Sequence, residues 1–300
     1  MGVKVVVTGG KGGTGKSFIA TNLALVMSNY LPTYLADLDV ENPNDYILLN
    51  VELSNCFNAY IPYPVIDYSR CSACGKCTEV CDTGAVVASR GKPPFVIPRL
   101  CSGCRACILA CPNSAIREGK RSLGKVCIGK NDNVGNGLTV VTGILNEGEE
   151  HVAPLVLITK SYVLNLIEGR KEYALITDTS AGTSINVALA CRGNDVAVVV
   201  TEPTPLGIHD LRMILEVLSK LGIQSLVVIN KVGVSDSKYV ELINELSGKY
   251  LAKVVAKVPY SKEVIKSYME SQPIVLRNPN HSISKSIRKL GLELLKISGD

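Results

Sequence analysis

The chain has 300 residues, 46% hydrophobic and 20% charged, enough to bury a sizeable core and too apolar for a disordered chain. With no Trp and 3 Phe, that core must be aliphatic, which suits a parallel sheet covered by helices. No apolar run approaches the ~20 residues of a membrane helix. The net charge of +5 is scattered singly, without a basic stripe, and this argues against a nucleic-acid partner.

Val3–Thr8 is a β-branched run that begins almost at once and leaves no room for an export signal; Met1-Gly2 lacks the Ser or Thr at position 6 that myristoylation needs. A cytoplasmic protein is expected. A Gly-rich turn follows, then a helical period from about Lys16 to Asn29 and a strand at Thr33–Leu38. At Tyr60 the character changes to Ile61-Pro62-Tyr63-Pro64 and two cysteine groups, ending near Arg121. Alternation then returns. Strands are expected at Tyr173–Thr177, Val196–Thr201, Ser225–Asn230 and Val254–Val258, with helices near 183–191, 205–220 and 236–247. The pattern predicts a discontinuous α/β domain, residues 1–60 and 121–300, with an insertion at 61–120.

Gly10-Lys11-Gly12-Gly13-Thr14-Gly15-Lys16-Ser17 fits G-x-x-x-x-G-K-[ST] between a strand and a helix. Glycines let backbone N–H groups wrap phosphate oxygens, Lys16 reaches the β/γ-phosphates and Ser17 ligates Mg²⁺. The bland alternative is a Gly-rich turn with a capping serine.

Eight of the 11 cysteines lie between residues 71 and 111. Without an export signal, such clustering points to metal rather than a disulfide framework. Cys71, Cys74, Cys77 and Cys81 repeat, at an offset of 30, as Cys101, Cys104, Cys107 and Cys111. The spacing is that of bacterial [4Fe-4S] ferredoxins, in which the fourth cysteine serves the other cluster. Cys71, Cys74, Cys77 and Cys111 would hold one cluster; Cys101, Cys104, Cys107 and Cys81 the other. Zinc, which uses pairs of C-x-x-C, accounts for neither the third and fourth cysteines nor the repeat. The oxidised clusters would bring the net charge to about +1. Asp82 stands where the second repeat has Pro112. Cys56, Cys127 and Cys191 stand alone and are expected as small buried residues.

The motif Lys11-Gly12-Gly13-Thr14-Gly15-Lys16-Ser17 resembles the deviant-Walker ATPases of the MinD/ParA/nitrogenase-iron-protein class. The resemblance implies an ATP- and Mg²⁺-dependent ATPase that forms a homodimer when ATP-bound, with Lys11 reaching the partner's nucleotide. It further implies that Asp39 orients the attacking water and that Asp37 acts on the second shell of Mg²⁺ or on loop structure. Asp178 would contact the metal's water shell, Gly182 would sense the γ-phosphate, and Asn230 and Pro259 would lie at the base. Ser180-Ala181 departs from the prolines usual before that glycine.

With Asp39-Val40-Glu41-Asn42-Pro43-Asn44, Thr201-Glu202-Pro203-Thr204-Pro205-Leu206-Gly207-Ile208-His209-Asp210 and the mid-chain cysteine insertion, nearly the whole chain resembles MinD-superfamily ATPases carrying an inserted ferredoxin domain. The fold expected is a mostly parallel P-loop NTPase sheet flanked by helices, with an inserted α+β dicluster ferredoxin-like domain. The function expected is nucleotide-gated dimerisation coupled to electron transfer through two [4Fe-4S] clusters. Its partner would be an unidentified redox protein or an apo-protein. Two alternatives stay open: an iron–sulfur carrier or assembly ATPase, and a MinD-like spatial organiser. The last would use the stripe Ile283, Ile287, Leu290, Leu294 and Leu295 at a membrane; the plainer reading docks that stripe on the sheet.

Overall fold

A computed structural model describes residues 2–297. In chain order the elements are β1 (Gly2–Thr8), α1 (Lys16–Ser28), β2 (Thr33–Asp37), α2 (Asp45–Leu48), β3 (Leu53–Ile66), α3 (Lys76–Glu79), β4 (Val86–Val87), β5 (Phe95–Val96), α4 (Ala106–Leu109), β6 (Ile116–Asn131) and β7 (Leu138–Leu145). Then follow α5 (Val152–Ile167), β8 (Tyr173–Asp178), α6 (Ile185–Cys191), β9 (Val196–Thr201), α7 (Pro205–Lys220), β10 (Gln224–Val232), α8 (Lys238–Lys249), β11 (Lys253–Pro259), α9 (Lys262–Met269), α10 (Ile274–Arg277) and α11 (Ser282–Ile297).

A nine-stranded sheet runs β11-β10-β9-β1-β8-β2-β7-β6-β3, and every neighbouring pair from β11 to β7 is parallel. Alternate strand residues supply opposite faces. Val3, Val5, Val196, Val198 and Val228 pack in one cluster with residues of α1, α10 and α11. Val6, Ala197, Val199 and Val227 pack in the other with residues of α6, α7 and α8. Both faces are covered, which is why these strands read as unbroken apolar runs.

The chain divides into two compact units. The first comprises residues 1–56, 126–144 and 156–300 and holds the parallel strands. The second comprises residues 57–125 and 145–155. It contains α3, α4 and the two-stranded antiparallel sheet of β4 and β5. Its small core is built on Cys77, Val86, Cys107 and Ile116. The 30-residue repeat extends to the backbone. Ala73 and Gly103, Gly75 and Arg105, and Gly84 and Ser114 are all left-handed, at matching positions of the two copies.

Two long strands, β3 and β6, go beyond the expected elements. β3 is largely exposed and carries Pro62 and Pro64, features that read as loop. It is the last strand of the sheet order, where proline costs no ladder hydrogen bond on the open side. Cys56 on β3 and Cys127 on β6 form a disulfide across 71 residues of sequence. This corrects the expectation of two unpaired cysteines: spacing along the chain is blind to strands that bring distant residues face to face. Cys191 is free and buried, as expected.

The C-terminal stripe is docked. Ile283, Ile287, Leu290 and Leu294 are each at most 2% exposed, within the core shared with α1. Among the described residues no helix is long and apolar enough to cross a membrane.

Candidate functional site

The carboxyl ends of β1, β8 and β2 lie side by side, with Val7 and Asp37 both in register with Asp178. The loop after β1 enters α1 through Gly15, which is left-handed at φ 96° and offers no side-chain cap, so the helix N–H groups stay available to a ligand. A Cβ at Gly10 would strike the Asp210 backbone, and one at Gly15 the Asn230 amide. Asn230 Nδ2 donates to Thr14 O at 2.7 Å, and Lys231 Nζ to Gly13 O at 2.6 Å. The end of β10 thus clamps the loop.

A cavity of about 540 Å³ opens above it, within the range of small-molecule sites. Gly12, Gly13, Gly15, Lys16 and Ser17 line one part; Phe18, Tyr260, Val264, Ile265 and Tyr268 give an apolar, aromatic wall, beside Asn230 and Pro259. The first part suits phosphates and the second a flat ring system.

Lys16 Nζ donates to Lys11 O at 3.3 Å; burial lowers its pKa, against the pull of Asp178 and Asp39. Ser17 Oγ donates to Asp178 Oδ2 at 2.6 Å. Burial pushes the Asp178 carboxyl up to about 7, opposed by Ser17 and Lys16. Asp39 lines the cavity, and burial raises it too, with Lys16 opposing. Asp37 accepts N–H bonds from Asp39, Asn44 and Asp45 at 3.0–3.2 Å. Its carboxylate ties the start of this loop to its end. Gly182 donates its N–H to Gly9 O at 3.2 Å, so that group is engaged within the protein rather than facing the cavity.

Lys11 is also engaged. Its Nζ lies 2.5 Å from Glu202 Oε1, and Lys231 Nζ lies 3.2 Å from Oε2. Burial would raise the Glu202 carboxyl, but the two lysines hold it below the usual carboxylate range.

The second unit has two hollows. Cys71, Cys74, Cys77 and Cys111 line one; Cys81, Cys101, Cys104 and Cys107 line the other. Each set takes its fourth cysteine from the other repeat. Val86 N–H donates to Cys81 Sγ and Ala115 N–H to Cys111 Sγ, at 3.4 and 3.2 Å. Burial, with the neighbouring sulfurs, raises the Cys77 thiol and pushes Cys107 up to about 11. Among the described residues no three His, Cys, Asp or Glu side chains converge as ligands of one metal ion. A zinc–thiolate site would hold its sulfurs about 3.8 Å apart, from Zn–S bonds of about 2.3 Å. A cubane carries its thiolates on separate iron corners and spaces them more widely.

The profile of the CobQ/CobB/MinD/ParA nucleotide binding domain matches residues 5–274. The chain belongs to this family. An uncharacterized protein of Methanocaldococcus jannaschii is 36% identical over 275 residues, covering 91% of this chain and 92% of its own. A second protein of that organism is 27% identical over 290 residues, covering 96% and 95%. Among solved structures, the septum site-determining protein MinD of Pyrococcus horikoshii, complexed with Mg-ADP, matches with a TM-score of 0.64 at 18% identity, covering 100% of this chain and 98% of its own. The family fold is therefore that of a MinD/ParA-type P-loop nucleotide-binding protein.

Within this family fold, Lys231, Phe18, Tyr268 and Asn44 line the cavity with the residues expected there, and Glu202 joins them through Lys11. Phe18 sits in a helical period that reads as core, and Tyr268 in a helix beyond those the sequence predicts. Glu202 stands inside the Thr201–Pro205 stretch, and a carboxylate between a β-branched residue and a proline at a strand end is the signal available for it.

Proposed function

We propose that this chain is an ATP-hydrolysing, nucleotide-gated iron–sulfur protein. The supporting observation is that one chain carries both a P-loop cavity and two four-cysteine hollows whose sets cross between repeats. Lys16 and the loop N–H groups would hold the phosphates. Ser17, with Asp178 behind it, would hold Mg²⁺, which supplies positive charge to the transferring phosphoryl group. Asp39 would orient the attacking water. Lys11 would leave Glu202 to meet the nucleotide of a second copy.

The eight cysteines would hold two [4Fe-4S] clusters, which supply one-electron storage and transfer. The N–H donors to Cys81 and Cys111 suit thiolates there. Anaerobic purification with iron and sulfide counts, and ATP turnover at both cluster redox states, tests the reading. About eight irons and redox-dependent turnover are expected; zinc alone after reconstitution overturns it.

The likeness to MinD favours a second reading, a nucleotide-controlled spatial organiser. That reading expects ATP-dependent self-association indifferent to cluster state. The docked α11 leaves it without the C-terminal membrane stripe.

A further inference from the structure

Glu202 is the meeting point of two lysines. Lys11 Nζ lies 2.5 Å from Oε1 and Lys231 Nζ 3.2 Å from Oε2, so each carboxylate oxygen has its own cation. The Glu202 side chain is 10% exposed. The two lysines differ in how they are held. Lys11 sits in the Gly-rich phosphate loop. Lys231 follows Asn230 near the end of β10 and is left-handed at φ 54°, a conformation uncommon outside glycine. Its N–H donates to Asn230 Oδ1 at 2.9 Å, and its Nζ also donates to Gly13 O at 2.6 Å. An ammonium has three N–H donors, so Lys231 serves the loop carbonyl and the carboxylate together.

Removing one partner from a buried ion pair strands the other charge, and that stranded charge is what makes the loss costly. A Glu202 paired with Lys11 alone would hold it tightly for this reason. With Lys231 on the second oxygen, the carboxylate stays paired after Lys11 has gone. The anchor on Gly13 O keeps Lys231 in place without Lys11.

We propose that Lys231 is a positioning residue that frees Lys11, by remaining on Glu202 as its cation when Lys11 turns to the nucleotide of a second copy. The inference rests on the nucleotide-gated dimer reading and gives a task to a residue that the phosphate-loop motif does not contain.

The test uses the full chain saturated with a non-hydrolysable ATP analogue and Mg²⁺. Sedimentation reads the protein concentration at which it self-associates. Saturation keeps any change in single-chain affinity out of the readout. Lys231→Met removes the cation; Lys231→Gln removes it but keeps a donor for Gly13 O. Both should raise the threshold about tenfold or more, since each of the two copies must then strip the last cation from Glu202. In a Glu202→Gln background neither substitution should move the threshold, because no buried charge is left to compensate. An unmoved or lowered threshold in either single variant overturns the proposal. So does a shift that persists beside Glu202→Gln, which would make Lys231 a clamp of the loop alone. If analogue-saturated wild type stays monomeric at every concentration, the dimer reading fails and takes this proposal with it. Wild-type dimers beside unmoved Lys231 variants overturn this proposal alone.

Discussion

Lys11 Nζ pairs with Glu202 Oε1 of its own chain at 2.5 Å, and the lysine side chain is 27% exposed against 10% for the glutamate. A lysine that is to serve a partner's nucleotide must first leave this carboxylate. In the proposed dimer the pair would oppose association, and its strength would set part of the threshold.

Glu202→Gln should lower that threshold. A part-buried pair is worth about 1 kcal/mol and each of the two chains must break one, so ATP-dependent self-association should begin at about thirtyfold lower protein concentration. Lys11→Ala should leave nucleotide binding by single chains intact, abolish the dimer and cut hydrolysis by roughly 10³. Sedimentation with ATP and Mg²⁺ reads both. Wild-type hydrolysis without any dimer would return Lys11 to a plain loop role.

If Asp39 orients the attacking water as proposed, Asp39→Ala should trap the ATP-bound dimer, because the phosphate cradle stays whole while that carboxylate is gone. Lys16→Ala should instead lose nucleotide binding altogether. Equilibrium binding and single-turnover hydrolysis on the two variants separate the roles.

On the iron–sulfur reading, Cys111→Ala should damage the cluster that Cys71, Cys74 and Cys77 would hold, since those four line one hollow. EPR and iron counts on the anaerobic variant check it. Loss confined to the Cys101 set would show that each repeat ligates its own cluster.

Glu149 supplies a pH signature. Burial would raise its carboxyl, but Arg121 and the N–H and ring of His151 bring it down to about 2. A depressed carboxyl stabilises above its unfolded pKa, and that stability is lost as pH falls from about 4.5 towards about 2. Glu149→Gln should flatten this acid limb and cost about 2 kcal/mol at neutral pH. Urea unfolding at pH 7 and pH 3 measures it.

The parallel strands and the phosphate loop are legible in the sequence because they depend on local signals: β-branched runs between glycines, and a motif whose residues each have a phosphate task. The cysteine sets are legible because a repeat carries its own register. β3 is not, since an exposed last strand with prolines lacks an apolar period, and β6 is not, since its first half is charged and polar. Glu202 and the Cys56–Cys127 bond are hidden for another reason: each matters through a residue distant in sequence.

The Cys56–Cys127 bond gives the chain a closed covalent ring of residues 56 to 127, and all eight repeat cysteines lie on it. A protease that cuts the ring once releases nothing, because both new ends remain tied to the rest of the molecule. A nicked molecule should run as one band on a non-reducing gel and as two after thiol treatment. The ring thus keeps its cysteines tethered through a backbone break that would otherwise shed one repeat.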